Sequence, residues 1–347
     1  MAFFDLPLAE LHAYRPALTA PDDFDEFWHR TLSAARKHDL AAELTAYEAL
    51  LPGVRVRDVR FSGSGGQRVA GWFIEPAAAD RPHPCVVQFI GYGGGRGRPH
   101  EWLLWPAAGY AVLVVDSRGQ GDGDTPDLPG DGTPQHSGLL TRGVLDPEQY
   151  YYRRLITDAA RAVAAVRALP GVDPARVVAA GNSQGGGLAL AAAGLVPDLA
   201  AVLTSAPFLC HIQRAIDMTD AAPYGEIVTY LSIHRDAEEA ARRTLSYVDA
   251  VNFARRALAP VHFGTGLRDN VCPPSTVFAA YNHYGAANGR PERPERSIHV
   301  YPFNHHEGGD AVHTRKQLLW LRDRLRVRIP LERRTLEDAG ARGTGRE

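Results

Sequence analysis

The segment around Ser183 limits the fold of this chain more than any other. Gly181 and Gly185 stand two residues before and two residues after Ser183, behind the apolar run RVVAA and at the start of the small-residue stretch GGGLALAAAGL. This is the context of a nucleophile elbow, a tight turn from a strand into a helix. A Cβ atom at either glycine would collide with the neighbouring strand or helix. The sequence therefore predicts an exposed nucleophilic serine at a helix N-terminus, where the N–H group of Gln184 can stabilise an oxyanion.

Apolar runs alternate with helical stretches along most of the chain. The runs that read as strands buried on both faces are 85–91, 110–116, 176–181, 199–207, 260–266 and 297–303, and the clearest helices are 148–169, 185–195 and 313–326. Continuous apolar strands are typical of a parallel sheet. Two earlier runs, 54–61 and 67–76, alternate as in an antiparallel hairpin at a sheet edge. The pattern predicts an α/β fold with a mostly parallel sheet and helices on both faces.

The chain is expected to form one domain over residues 1–330. Residues 1–50 carry helical signals and form an N-terminal extension, with its main helix in PDDFDEFWHRTLSAARK. Residues 208–258 interrupt the alternation with a helical insertion, and insertions of this length are usually functional. The last residues, 331–347, are charged and contain glycine, so they are predicted to be a mobile tail.

A serine nucleophile needs a histidine base and an orienting carboxylate, which follow it in the order Ser, Asp, His in folds with this elbow. Asp269 follows the strand PVHFGTG, and His306 follows the last strand. Both lie on loops at the carboxyl ends of strands, where an open parallel sheet presents its site. Three other histidines lie inside a predicted strand or helix, His299 in the strand and His283 and His313 in helices. Spacing alone does not separate His306 from its neighbour His305.

The loop GYGGGRG at residues 91–97 follows an earlier strand. This is the place from which a second oxyanion donor is expected, and the N–H group of Tyr92 fills that role. The loop does not match the dinucleotide fingerprint, because Arg96 stands where the last glycine belongs.

Composition excludes several other functions. The chain has 38 basic and 40 acidic residues, so it lacks the excess positive charge of a nucleic-acid-binding protein.

The segment HHEGGD lacks the i, i+4 histidine pair of zinc hydrolases, so no metal and no other cofactor is predicted. No run of 18 apolar residues occurs, and acidic residues at Asp5 and Glu10 interrupt the N-terminus. No membrane association is therefore predicted, and a cytoplasmic location follows.

Several motifs together identify a family. The chain resembles the acetyl xylan esterase and cephalosporin-C deacetylase family, carbohydrate esterase family seven, through FDLPLAEL, RGQG at 118–121, GNSQGGG and the closing HHEGG. The resemblance implies an α/β-hydrolase fold and matches the family's HE pair to His306 and Glu307, which makes His306 the base. It assigns the nucleophile to Ser183, the acid to Asp269 and the oxyanion donors to the N–H groups of Tyr92 and Gln184.

The resemblance also implies the substrate, the location and the assembly of the enzyme. Its substrate would be a small acetylated sugar or a cephalosporin, and the enzyme would be metal-independent, intracellular and a hexamer built as a dimer of trimers. Pro223 and Tyr224 would shape the pocket, and Arg118 and Gln120 would support the active-site loops. Asn182 departs from the glycine or other small residue common in the family.

Two other functions fit the elbow. Another carboxylesterase or a peptidase of the prolyl-oligopeptidase kind shares the elbow and the order of the three residues, although such a peptidase normally needs a large gating domain. A non-catalytic protein of the same fold is the second alternative, and such proteins typically lose one of the three residues, whereas all three are present here.

Overall fold

A large sheet runs through the centre of the protein. The computed structural model describes residues 4–78, 82–128 and 137–325. Its strands are β1 Glu43–Tyr47, β2 Val54–Ser62, β3 Arg68–Pro76, β4 His83–Phe89, β5 Ala111–Val115, β6 Val172–Asn182, β7 Ala201–Ser205, β8 Val261–Gly266 and β9 Arg296–Tyr301. Within the described residues they form one nine-stranded sheet in the order β1-β2-β3-β5-β4-β6-β7-β8-β9. The strands from β4 to β9 pair in parallel, and β1, β2 and β3 join the sheet antiparallel.

Helices cover both faces of this sheet. They are α1 Leu8–Ala13, α2 Phe24–Arg36, α3 Leu104–Ala107, α4 Tyr151–Ala168, α5 Gln184–Leu195, α6 Ile212–Met218, α7 Tyr224–Ile233, α8 Glu238–Ser246, α9 Ala250–Ala254, α10 Pro274–His283 and α11 Asp310–Leu325. None of the helices in the described parts of the chain is long and apolar enough to cross a membrane. The predicted tail, 331–347, lies outside the described residues, and a single domain over 1–330 stays a prediction.

The apolar strands supply two cores because neighbouring residues of a strand point to opposite faces. Val86 packs on one face with Trp105 of α3 and Leu321 of α11. The next residue, Val87, packs on the other face in a cluster that includes Leu155 of α4. The predicted α/β architecture is therefore confirmed.

Two predictions about the sheet edges differ from the structure. Residues 43–47 lie in the segment for which only helical signals are expected, yet they form β1, which pairs with β2 and becomes the edge of the sheet. The hairpin of β2 and β3 is therefore not the outermost pair. The run 297–303 is expected to be buried on both faces, but every residue of β9 is only partly buried. In the described parts of the chain this strand pairs only with β8, because it forms the opposite edge.

The insertion is helical, as predicted. Helices α6, α7, α8 and α9 lie between β7 and β8, and α9 packs against α5. The indole N–H of Trp28, on α2, donates to the carbonyl of Tyr247 at 2.9 Å, so the N-terminal extension is bound to the insertion. Through the packing of α9 on α5, the insertion lies against the helix that begins at the elbow.

Three histidines meet where α11 covers the end of the sheet. His262 of β8 lies between His299 of β9, with ring centroids 4.9 Å apart, and His313 of α11, stacked at 5.3 Å. His262 and His313 are buried. Burial, reinforced by the neighbouring histidines, lowers the pKa of His262 to about 3 and the pKa of His313 to about 4. Lys316 and Arg324 of α11 add positive charge near His262.

This cluster predicts acid instability. An unfolded histidine takes up a proton near pH 6.5, whereas His262 and His313 do so in the folded protein only near pH 3 and pH 4. The free energy of unfolding therefore falls as the pH drops from about 6.5 to about 4. His262→Phe keeps an aromatic ring against His313 and removes one titrating group. We expect urea unfolding to give a pH slope shallower by roughly 1 kcal/mol per pH unit. His29→Gln, at an exposed position, serves as the control, and an unchanged slope in His262→Phe would contradict this account.

Candidate active site

The elbow places Ser183 between the end of β6 and the start of α5. Its backbone has φ 56° and ψ −122°, a conformation that non-glycine residues rarely adopt and that recurs at functional sites. Three backbone hydrogen bonds hold it: the Ser183 N–H donates to the Ser205 carbonyl at 2.9 Å, and the Ser183 carbonyl accepts from Gly187 at 3.0 Å and Phe208 at 2.9 Å. The strained turn is therefore fixed from both sides.

The glycines of the elbow have the steric role that the sequence predicts. A Cβ atom at Gly181 would overlap the backbone of Gly185, and a Cβ atom at Gly185 would overlap the carbonyl of Phe89 at the end of β4. Helix α5 can therefore approach β4 and β6 closely enough to bring its N-terminus to Ser183 only when both positions lack a side chain.

Asp269 and His306 meet beside the ends of β8 and β9. The Nδ1 atom of His306 lies 2.8 Å from Oδ2 of Asp269, whose side chain is fully buried. The other oxygen, Oδ1, accepts the N–H groups of Val271 at 2.8 Å and Cys272 at 2.9 Å. These bonds fix the carboxylate, and the contact at Nδ1 leaves Nε2 of His306 as the nitrogen available to a substrate or a nucleophile.

The neighbouring histidine has a different environment. The ring of His305 is exposed, and its Nδ1 lies 2.9 Å from the carbonyl of Arg268. Glu307 accepts the backbone N–H of His305 at 3.1 Å and the side-chain N–H of Asn304 at 2.8 Å. Glu307 thus stabilises the turn, and of the two histidines that spacing left unresolved, His306 is the one paired with Asp269.

The two expected oxyanion donors are unpaired in the described parts of the chain. Neither the Tyr92 N–H nor the Gln184 N–H donates to a backbone or side-chain acceptor there. The Ser183 hydroxyl likewise makes no hydrogen bond with any described residue, His306 included. Hydrogen bonds between catalytic groups often form fully only once a substrate is bound. The unpaired N–H groups at the elbow and the 91–97 loop are available to a ligand oxygen.

The side chain of Gln120 connects the two segments that carry these N–H groups. Its Oε1 accepts the N–H of Gly93 at 2.6 Å, next to Tyr92, while its Nε2 donates to Oε1 of Gln184 at 3.1 Å and to the Tyr151 hydroxyl at 2.7 Å. The side chain is fully buried. Gln120 therefore sets the spacing between the 91–97 loop and the N-terminus of α5, which is the supporting role that its motif implies.

Arg118, in the same motif, is a fully buried cation held by carboxylates. Its guanidinium binds both oxygens of Asp158, at 2.5 and 2.8 Å, and lies 3.3 Å from Asp127. The Arg118 carbonyl accepts the hydroxyl of Tyr151 at 2.6 Å. The arginine thus anchors the turn after β5, which also carries Gln120, to α4.

Aromatic rings pack between the 91–97 loop and the insertion. The ring centroid of Phe208 lies 6.3 Å from that of Tyr92 and 4.5 Å from that of Tyr224. Phe208 and Tyr224 are fully buried. Pro223 and Tyr224 stand at the start of α7, and their role in shaping a substrate pocket stays a prediction.

Sequence reasoning missed Glu226 of α7. Its carboxylate accepts the hydroxyl of Tyr92 at 2.8 and 2.9 Å. Nothing in the local sequence distinguishes this glutamate from the other acidic residues of the insertion. Its partner is 134 residues away in the chain, so only the tertiary structure identifies it.

No three His, Cys, Asp or Glu side chains converge on a metal-binding arrangement in the part of the chain that the structure describes. The absence of a metal and of any other cofactor stays a prediction.

The fold and the Ser183 elbow define an enzyme of the α/β-hydrolase class. Residues 1–324 match the acetyl xylan esterase (AXE1) family. The chain belongs to this family, as the sequence motifs predicted, and is a carboxylic ester hydrolase.

Solved structures and a curated protein agree with this assignment. The chain is 36% identical to the acetyl xylan esterase from Paenibacillus sp. R4, with a TM-score of 0.84 over 92% of this chain and 100% of that chain. Acetyl xylan esterase 1 from Thermoanaerobacterium sp. JW/SL YS485 is 34% identical, with a TM-score of 0.81 over 92% of this chain and 99% of that chain. The acetyl esterase Axe7A of Xylanibacter ruminicola is 28% identical over 325 residues, which are 90% of this chain and 69% of that protein.

Proposed function

We propose that this enzyme removes acetyl groups from acetylated xylo-oligosaccharides and related small esters, cephalosporin C included, through an acyl-enzyme on Ser183. The observation that carries the proposal is the 2.8 Å contact between His306 and the buried Asp269, in a site that also holds a strained serine. The names of the similar proteins support an acetylated xylan fragment as the substrate.

The first half of the proposed reaction transfers the acetyl group to the enzyme. Ser183 Oγ attacks the acetyl carbonyl carbon while Nε2 of His306 takes the hydroxyl proton. Asp269 holds the imidazole through Nδ1 and stabilises its charged form. The carbonyl oxygen becomes negative and binds to the N–H groups of Tyr92 and Gln184. The C–O bond to the sugar then breaks, and the leaving alcohol takes the proton from His306.

The second half releases acetate. A water molecule gives a proton to His306 and attacks the acetyl carbon of the acyl-enzyme. The same two N–H groups bind the oxyanion again. The bond to Ser183 Oγ breaks, the serine recovers its proton from His306, and the product leaves as acetic acid, which ionises to acetate in water.

Measuring acetate release across a panel of esters tests the substrate assignment. We expect acetylated xylo-oligosaccharides, cephalosporin C and an aryl acetate to be hydrolysed, and an aryl butyrate to react at least about tenfold more slowly, since each misplaced methylene in a closed pocket costs roughly 1–3 kcal/mol. An aminoacyl anilide serves as the peptidase control. Faster cleavage of the anilide than of the aryl acetate would favour the peptidase alternative, and no reaction with any ester would contradict the proposal.

A homohexamer built as a dimer of trimers and a cytoplasmic location complete the proposal. They rest on the family resemblance of the sequence. The mass of the full chain in solution tests the hexamer, and a monomeric mass would contradict it.

A further inference from the structure

Glu226 binds the side chain of Tyr92, the residue whose backbone N–H is the proposed oxyanion donor. The Tyr92 hydroxyl donates to the two carboxylate oxygens of Glu226 at 2.8 and 2.9 Å. The same hydroxyl accepts the N–H of Leu139 at 3.0 Å, and Glu226 accepts the N–H of Leu140 at 3.3 Å. These bonds join the 91–97 loop, the segment before α4 and helix α7 of the insertion at one point.

The Tyr92 phenol is the donor in its hydrogen bond with Glu226. Burial and the adjacent carboxylate raise the pKa of the Tyr92 phenol well above its usual value, so the hydroxyl keeps its proton. Its oxygen lies within hydrogen-bond distance of both carboxylate oxygens of Glu226 and accepts the N–H of Leu139. The phenol therefore has a fixed position relative to α7.

Tyr92 is thereby held at two places. Its phenol is bound by Glu226, and the next N–H along the chain, that of Gly93, is bound by Gln120 at 2.6 Å. The Tyr92 N–H is attached to the Cα from which both anchored groups extend, and it has no acceptor among the described residues. The carbonyl of its own peptide group, that of Gly91, accepts the N–H of Gly94 at 3.1 Å. An oxyanion donor works only when it is aimed in advance at the position of the developing charge. The two anchors on the C-terminal side of this N–H, together with the hydrogen bond from Gly94 to the Gly91 carbonyl of the same peptide group, provide that aim.

We propose that Glu226 is a positioning residue that acts through the Tyr92 hydroxyl to orient the Tyr92 N–H group in the oxyanion site. The inference rests on the proposed function, because it requires that this N–H binds the oxyanion. It gives the helical insertion a part in the rate of acyl transfer.

The expected effect falls on the transition state. Complete loss of one oxyanion donor costs roughly 100- to 1,000-fold in kcat. Glu226→Gln and Tyr92→Phe loosen the donor without removing it, so we expect kcat for an aryl acetate to fall by about 10- to 50-fold with KM changed less than about threefold. Affinity for a boronic acid, whose serine adduct is tetrahedral and negatively charged, should fall by the same factor as kcat.

The experiment compares the two single variants and the double variant with wild type, with melting temperatures to confirm folding. Glu239→Gln, an exposed carboxylate of the same insertion, is the matched control and should retain wild-type kcat. The double variant should be no worse than Tyr92→Phe alone, because both substitutions break the same link. If Tyr92→Phe does not fold, Glu226→Gln alone decides the question.

Three results would overturn the inference: an unchanged kcat in folded Glu226→Gln, a change confined to KM, or effects of the two single variants that multiply in the double variant. Ser183→Ala is assayed beside them, so a failure of the proposed function is recognised separately. If Ser183→Ala retained activity, the acyl-enzyme proposal would fail and this inference with it. If Ser183→Ala is inactive while Glu226→Gln is unaffected, only the role of Glu226 is refuted.

Discussion

Ser183→Ala is expected to lower kcat/KM for an aryl acetate by at least about a thousandfold without unfolding the protein. The substitution removes the proposed attacking oxygen and leaves the proposed oxyanion donors and the Asp269–His306 pair in place. The elbow itself should persist, because its three hydrogen bonds at Ser183 are made by the backbone. Initial rates and melting temperature measured on the same preparation check both parts of the expectation.

Ser205→Ala is the matched control for this prediction. Ser205 ends the neighbouring strand β7, is buried to the same degree as Ser183, and its hydroxyl accepts a hydrogen bond from Gln317 at 3.2 Å. We expect kcat/KM to stay within about threefold of wild type, because the Ser205 hydroxyl has no step in the reaction. Retention of most activity by Ser183→Ala, or an equal loss in both variants, would contradict the assignment of the nucleophile.

Arg118→Met is expected to lower the free energy of unfolding by about 3–5 kcal/mol. Removing one partner of a buried ion pair leaves the other charge without compensation. Arg118 and Asp158 are both fully buried and share two short bonds, so the carboxylate of Asp158 would lose its main partner. Urea unfolding of the variant measures the loss.

Arg142→Met provides the comparison. Arg142 is partly exposed and lies 3.1 Å from Asp127, which keeps a bond of 2.7 Å to Arg154. We expect its loss to cost less than about 1 kcal/mol. In Arg118→Met/Asp158→Leu, both charges are removed, and part of the lost stability should return. A cost below about 1 kcal/mol for Arg118→Met would contradict the view that this motif supports the site structurally.

The sequence predicts the parallel part of the sheet and the elbow because both depend on local patterns. Apolar runs and helical stretches identify β4 to β8 directly. The clash that excludes side chains at Gly181 and Gly185 follows from a turn only a few residues long. Predicting that Asp269 pairs with His306 requires the order of the strands as well as local patterns. The choice between His305 and His306 comes from the family motif, because spacing does not separate them.

Other features depend on contacts that no local pattern encodes. Residues 43–47 become β1 because β2 offers them a free edge, although the same segment carries no strong strand signal. Residues 296–301 are only partly buried because, among the described residues, no strand lies beyond β9. Glu226 reaches Tyr92 across 134 residues of sequence, so its role follows only from the folded insertion.

Labelling with a serine-directed fluorophosphonate tests the central claim most directly. The reagent forms a covalent bond with an activated serine, and mass spectrometry of the digested protein locates the modified residue. We expect one label per chain on the peptide that contains Ser183, loss of esterase activity in proportion to labelling, and slow labelling of His306→Ala. Inactivation with the label on another residue, or full activity after Ser183 is modified, would contradict the account.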